Sequence, residues 1–307
     1  MTSMKLLRER ARVARDLRRF FDARGFVEVQ TPVMVPSPGL DLHLDAFEIA
    51  GGDAGAARWL TTSPEYQMKR LLGEGWQRIY QLGPCFRRGE RGARHNPEFT
   101  MLEWYRARAD VSDVLLDTEQ LVASITGGTV RVGDRVIDVR PPLERVSVCD
   151  AFARYAGWSR DQTLQTAAQD EDRYFRCLVE RVEPALESID RGVFLIDYPT
   201  CHASLARTKP QDPSLAERFE LYVAGLELCN GFGELVDPVE QRRRLVQDQD
   251  ARRARGLPVY PLDERFIDSL ARVPPSAGNA LGFDRLVALV CGTTTIASVM
   301  AFTADEL

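Results

Sequence analysis

The segment from Phe86 to Tyr105 constrains this chain more than any other. Two stretches that read as strands, 77–82 and 98–104, flank a loop in which Arg87, Arg88, Arg91 and Arg94 alternate with Gly89 and Gly92. A basic turn of this kind ordinarily points into solvent. Here the return strand, His95-Asn96-Pro97-Glu98-Phe99-Thr100-Met101-Leu102-Glu103-Trp104-Tyr105, sets aromatic rings and two acids beside the arginines. Guanidiniums bind phosphate oxygens by forked hydrogen bonds. An aromatic face stacks a base, and a carboxylate holds an ammonium. These are the parts of a nucleotide site that also binds an amine.

The rest of the chain narrows the class. Its 307 residues, 44% of them hydrophobic, suffice for one large core or two small ones. With no internal repeat, low-complexity tail or long linker, one catalytic domain over 1–307 is the expectation. A net charge of −5 argues against non-specific nucleic-acid binding, which needs clustered Lys and Arg. The six cysteines lie far apart without a CxxC pair, and there are three histidines, which disfavours a zinc site or a disulfide framework. Residues 4–21 form a basic amphipathic pattern, not a secretory signal, and no apolar run reaches membrane-spanning length. The expectation is a cytoplasmic protein without a membrane segment.

Periodicity predicts helices over 6–24 (closed by Gly25), 64–72, 111–125, 146–156, 172–189 and 238–255, with the apolar stretch 286–302 as a core helix opened near Gly282. Strands are expected at 26–29, 59–62 and 193–198, hairpins at 130–137 and 219–228, and a small-residue loop at 51–57. This mixture predicts an α+β fold with a mostly antiparallel sheet flanked by helices.

Phe86-Arg87 and His95 to Thr100 resemble motif 2 of the class II aminoacyl-tRNA synthetases in its lysyl form. Gly278-Asn279-Ala280-Leu281-Gly282-Phe283-Asp284-Arg285-Leu286 resembles motif 3, and 18–32, ending in Pro32, resembles motif 1. The resemblance implies the class II catalytic fold, with Arg87 on the α-phosphate of ATP and Arg285 on the far phosphates as the catalytic pair. It places Phe99 on adenine and Arg94, His95 and Asn96 in the same ATP site. Three further segments, Thr62-Ser63-Pro64-Glu65-Tyr66, Glu103-Trp104-Tyr105 and Glu220 to Glu234, resemble lysyl-family sequence. They imply that Glu65 and Glu103 hold the substrate's α-ammonium, with Ser63 among the substrate-binding residues. Tyr105 and Glu234 would take its side-chain ammonium, with Asn230 and Phe232 shaping the pocket. Glu220 and Glu227 would share Mg²⁺ with ATP. A two-residue turn at Ala224-Gly225 pairs Tyr222 with Glu227 and Glu220 with Cys229, so these acids share a face at roughly 7–8 Å, a separation suited to shared metal ions.

Three departures separate the chain from a lysyl-tRNA synthetase. Arg87-Arg88-Gly89 stands where that family reads Arg-Asn-Glu, and Glu90, one residue on, is the candidate to substitute in the adenine contact. Ala280 replaces the middle glycine of motif 3 and narrows the amino-acid pocket. Ala203-Ser204-Leu205-Ala206 stands for Ser-Pro-Leu-Ala. The sequence also starts at the motif 1 helix, with no room for the anticodon-reading barrel. In this truncated form it resembles the EpmA/PoxA/GenX family, lysyl-tRNA synthetase paralogues that attach (R)-β-lysine to elongation factor P. That resemblance implies ATP and Mg²⁺, lysine or (R)-β-lysine as substrate, elongation factor P as partner, a homodimer through motif 1, and no use of tRNA. Stand-alone aminoacylation of tRNA or a tRNA fragment, amide formation on a small molecule and a non-catalytic regulatory role are the alternatives. The six arginines of 242–255 are expected to steer an acidic partner.

Overall fold

The structure, a computed structural model, describes residues 3–52 and 55–307; residues 53 and 54 of the expected small-residue loop lie outside the described residues. Helix α1 (Met4–Asp22) is capped by Ser3, which accepts from the Lys5 amide, and buries Val13, Leu17, Phe20 and Phe21 along one stripe. Gly25 turns the chain at φ +72°, a conformation that costs glycine nothing. Strand β1 (Val27–Glu28) follows, then a small antiparallel pair, β2 (Met34–Val35) with β3 (Trp59–Leu60). Helix α2 (Glu65–Gly73), strands β4 (Arg78–Phe86) and β5 (Glu98–Ala107) and helix α3 (Val111–Thr126) come next. The hairpin of β6 (Thr129–Val132) and β7 (Arg135–Asp138) turns at Gly133-Asp134, as expected.

A helical segment then carries β8 (Glu144–Ser147), α4 (Val148–Ala156), α5 (Arg160–Gln169), α6 (Glu171–Cys177), a π-helical turn at Leu178–Val182 and α7 (Glu183–Glu187). The chain re-enters the sheet through β9 (Val193–Pro199), β10 (Thr208–Lys209), β11 (Asp212–Val223) and β12 (Leu226–Gly233). It ends with α8 (Pro238–Ala254), α9 (Glu264–Leu270), β13 (Ser276–Gly282) and α10 (Phe283–Val290).

One nine-stranded sheet runs β1-β4-β5-β13-β12-β11-β9-β8, with β10 beside β11. Among the described residues only β1–β4 and β8–β9 are parallel, so the expected mostly antiparallel α+β sheet is present. Strand alternation decides where the site lies. Tyr80, Leu102 and Trp104 face α1, α3 and α10 in the largest apolar cluster, where Phe21 stacks on Tyr80 at 4.6 Å. Glu103 and Tyr105 therefore point to the opposite face. There α2 and α9 cover part of the sheet, with Tyr66 stacked on Phe266 at 4.0 Å, and leave the rest open.

Several expected elements differ. The helix of 146–156 starts at Val148, because residues before it pair with β9 and Ser147 Oγ accepts from the Asp150 amide as its cap. The helix of 172–189 is three pieces. Pro184, without an N–H, interrupts the i→i−4 ladder just beyond the π-helical turn. The core helix of 286–302 stops at Val290 and reverses at Gly292, φ +77°, before a short 3₁₀ turn at Ile296–Val299. Helices α5 and α9 were not expected; one is polar almost throughout and the other has seven residues. The basic face of α8 is not free. Arg252 is fully buried, donating to the carbonyls of Asp41, Leu44 and Pro258 and pairing with Asp45 at 2.6 Å. Arg242 pairs with Glu264, Arg243 and Arg244 with Glu240, Arg253 with Asp250, and Arg255 with Glu171. Among the described residues no helix is long and apolar enough to cross a membrane.

Candidate active site

A cavity of about 620 Å³ opens on the exposed face of the sheet, within the range for small-molecule sites. The structure sorts the four arginines of the β4–β5 loop. Arg88 pairs with Asp45 at 3.2 Å and Arg91 with Asp305, so both serve the loop's own anchoring. Arg87 and Arg94 line the cavity. The Arg87 guanidinium lies 5.0 Å from the centre of the Phe99 ring and 3.6 Å from Glu90. Arg94 donates to the Gly225 carbonyl at 2.8 Å, tying the loop to the β11–β12 turn.

Arg285, in the first turn of α10, is held from three sides. It donates to the Glu227 carbonyl at 2.7 Å, reaches the Arg94 carbonyl at 3.4 Å, and meets His95 Nε2 at 2.8 Å. Burial and then the Arg285 charge hold the His95 pKa below its usual value, so the ring is neutral and accepts at Nε2. Asn96 spends its side chain locally: Nδ2 donates to the Glu98 carbonyl at 2.6 Å and Oδ1 accepts from the Ala304 amide at 3.0 Å. One N–H of Asn96 remains for a ligand. Asp284, one residue before Arg285, accepts from the Thr100 amide at 2.7 Å and pairs with Arg10 of α1. It thereby locks α10 to both β5 and α1.

The acid end of the cavity is set by strand register. Ala280 on β13 stands opposite Glu103 on β5 and Asn230 on β12, so the three side chains share one face. Asn230 Oδ1 is buried without a hydrogen-bond partner, a ready acceptor for an ammonium. Glu103 accepts from Ser63 Oγ at 2.6 Å and from Tyr105 Oη at 2.9 Å. Burial, and then the neighbouring Glu65, still push its carboxyl up to about 7. Gly278 is required where it stands: a Cβ there would lie 2.3 Å from the Tyr105 ring and 2.7 Å from Glu234.

Two sequence-expected residues do not reach the cavity wall. Tyr105 and Glu234 are 3% and 1% exposed and lie behind it. There Glu234 meets a residue the sequence reading passed over. Lys69 of α2, fully buried, lies 2.5 Å from Glu234 and 2.6 Å from Glu65. Burial opposes charging Lys69, but the two carboxylates outweigh it and hold its pKa up. Burial pushes Glu234 up against the pull of Lys69, since one ammonium cannot balance Glu65, Glu103 and Glu234 together. The signal was present in sequence: Lys69 stands at i+4 from Glu65 on an otherwise apolar helix face.

The two carboxylates expected to hold a metal ion also come together. The Ala224-Gly225 turn has both residues at positive φ, 51° and 74°, and pairs Tyr222 with Glu227 as the spacing required. A β-bulge then shifts the register, so Glu220 stands opposite Asn230 and not Cys229. Glu220 accepts from Arg218 at 2.6 Å and from Tyr222 Oη at 2.8 Å. Glu227 lies 3.7 Å from Arg285, its one ion-pair partner among the described residues, and its side chain is 40% exposed. Burial and then the Glu220 charge raise the Glu227 pKa against the pull of Arg285. Among the described residues no three His, Cys, Asp or Glu form a metal cage. Two oxygen-only side chains, one of them short of positive charge, nonetheless fit a hard cation that takes its other ligands from phosphate.

This fold, with arginines at one end of the cavity and buried acids at the other, defines the class: residues 2–306 match the family of tRNA synthetases class II (D, K and N). Proteins named elongation factor P–(R)-β-lysine ligase from Salmonella dublin, Salmonella paratyphi B and Salmonella heidelberg are each 40% identical to this chain, over 99% of its length and 96% of theirs. The chain belongs to the family these ligases form.

Proposed function

We propose that the chain is a ligase that activates (R)-β-lysine or lysine with ATP and transfers it to a lysine side chain of elongation factor P. The relatives' shared name and near-complete coverage support that partner and substrate. The observation that carries the reading is the single cavity that Arg87, Arg285, Glu103 and Asn230 line together. In the first step an oxygen of the substrate carboxylate attacks the α-phosphorus; the new O–P bond forms as pyrophosphate leaves. Arg87 and Arg285 stabilise the charge that develops, with Phe99 and Glu90 against adenine and Arg94, His95 and Asn96 along the phosphates. Ser63, Glu65, Glu103, Asn230, Phe232 and Ala280 hold the amino acid, with Tyr105, Glu234 and Lys69 behind them. Glu220 and Glu227 would hold Mg²⁺, which neutralises triphosphate charge when bound. In the second step the acceptor amine attacks the adenylate carbonyl, an amide C–N bond forms, and AMP leaves.

The reading includes one catalytic domain over 1–307, a cytoplasmic location and a two-fold dimer through 18–32. The test is ATP–pyrophosphate exchange with each lysine isomer, followed by the mass of elongation factor P and a gel assay of charged tRNA. Exchange with a lysine isomer and a mass increase on the factor are expected; charging of tRNA alone would replace this reading.

A further inference from the structure

The cavity of about 620 Å³ is lined by more residues than the proposed adenylate site uses. Its lining also includes His43, Glu171, Phe175, Cys201 and His202, none of which lies in the segments that carry the family resemblance. Glu171 comes from the first turn of α6, and Cys201 and His202 from the short 3₁₀ turn at Thr200–His202. His202 is 9% exposed, and its Nδ1 is buried with no hydrogen-bond partner among the described residues. Its Nε2 lies 3.8 Å from Glu171 Oε1, and His43 Nε2 lies 3.7 Å from the same oxygen. Arg255 donates to the other Glu171 oxygen at 2.8 Å. The Phe175 ring sits 4.9 Å from His202 and 5.9 Å from His43.

The chemistry of this patch is that of a cation receptor. Burial, and then the Arg218 charge, push the His202 pKa down to about 4, so the ring is neutral near pH 7 and offers an acceptor nitrogen. Burial opposes ionisation of Glu171, but the hydrogen bond from Arg255 holds its carboxyl below the usual range. A carboxylate, a neutral imidazole and an aromatic face within one patch suit an alkylammonium, and they suit a phosphate poorly. Asp41 and Asp248 line the same cavity.

We propose that Glu171, His202 and Phe175, with His43 beside them, form the docking subsite for the acceptor: a primary alkylammonium on the side chain of a protein lysine. This inference rests on the proposed ligase reading. The amine sheds one proton to solvent at the open mouth, and its nitrogen attacks the adenylate carbonyl carbon. The C–N bond forms, the C–O bond to phosphate breaks, AMP leaves with the electron pair, and the second proton follows to solvent.

The test separates the two half-reactions in the full-length protein. Glu171→Gln and His202→Leu are assayed by ATP–pyrophosphate exchange, by trapping the adenylate with hydroxylamine, and by mass transfer to elongation factor P. Exchange and trapping should stay within about twofold of the unaltered protein, while kcat/KM for transfer falls about tenfold or more. Cys201→Trp, a steric block on the same wall, should also slow transfer and spare exchange. Transfer within about twofold for all three variants would overturn the assignment, as would loss of exchange in step with transfer. Failure of the unaltered protein to catalyse exchange sinks the ligase reading instead, so the two failures are distinguishable.

Discussion

Replacing Lys69 with methionine, which keeps the length of the side chain and removes its charge, tests how the acid pocket is held together. Lys69 lies within 2.6 Å of both Glu65 and Glu234 and has no exposed surface. Removing one partner of such a buried pair costs about 3–5 kcal/mol when the remaining charge must stay. The pocket has a cheaper escape, which is to take up one more proton. Glu234 is already pushed up to about 8, so at pH 7 placing that further proton on the other partner, a glutamate with an ordinary value of 4.5, costs about 3 kcal/mol at 1.36 kcal/mol per pH unit. At pH 5 the same proton costs about 0.7 kcal/mol. The sign follows from linkage. The folded variant carries one proton more than its unfolded chain above pH 4.5, so its stability falls as pH rises toward the raised folded pKa. In the unaltered protein the Lys69 pKa is raised from 10.5, so its contribution is fully present throughout pH 5–7. Urea unfolding at pH 5 and pH 7 should therefore show a stability loss on Lys69→Met that is larger at pH 7 by about 2–3 kcal/mol. A loss equal at both pH values would show that Lys69 matters for packing alone.

Arg87→Ala and Arg285→Ala should each lower the pyrophosphate-exchange rate by about 10²–10³-fold with unchanged unfolding midpoints, and unchanged exchange in a folded variant refutes the phosphate assignment. Substrate affinity should weaken below pH 7, because Glu103, pushed up to about 7, must ionise to hold an ammonium; calorimetric Kd should rise about fivefold from pH 7 to pH 6, and Glu103→Gln should flatten the profile. Gly278→Ala should destabilise the fold by about 1–3 kcal/mol, since its Cβ would strike the Tyr105 ring; a midpoint like that of the unaltered protein refutes the packing. Ala280→Gly should shift preference toward α-lysine by about tenfold, the equivalent of 1.4 kcal/mol, by opening the wall between Glu103 and Asn230. An unchanged ratio of β- to α-lysine activation would assign selectivity to another residue, Ser63 first.

What sequence could reach was set by the range of the interaction. The β11–β12 turn was legible because Ala224-Gly225 fixes its own φ values, and α1 because its stripe repeats every three to four residues. The bulge that moves Glu220 from Cys229 to Asn230 was not, since it depends on how β12 packs between two neighbours. The arginines of α8 looked like one basic face because sequence shows charge and not burial. Arg252 proves to be an internal brace for residues 41–45. The patch of His43, Glu171 and His202 escaped notice because these residues are far apart in the chain and meet only in the fold.

The same limit explains Lys69 and shows what the pocket is built to do. A reading by motif counts the carboxylates Glu65, Glu103 and Glu234 and gives each to the substrate. The structure adds one internal cation that Glu65 and Glu234 share, so full ionisation leaves a net charge of −2. That equals the charge of the two ammonium groups on the proposed substrate, whose carboxylate is turned toward ATP. Without substrate the excess negative charge is buried and uncompensated, which is why Glu103 and Glu234 hold protons to higher pH than free carboxyls. A monoamine would leave one carboxylate without a counter-charge and an apolar amino acid would leave two, at a cost of several kcal/mol each if they stayed ionised. Charge balance thus rejects most amino acids before shape is consulted. It cannot separate α-lysine from β-lysine, which carry equal charge, so that choice falls to the geometry of the wall at Ala280.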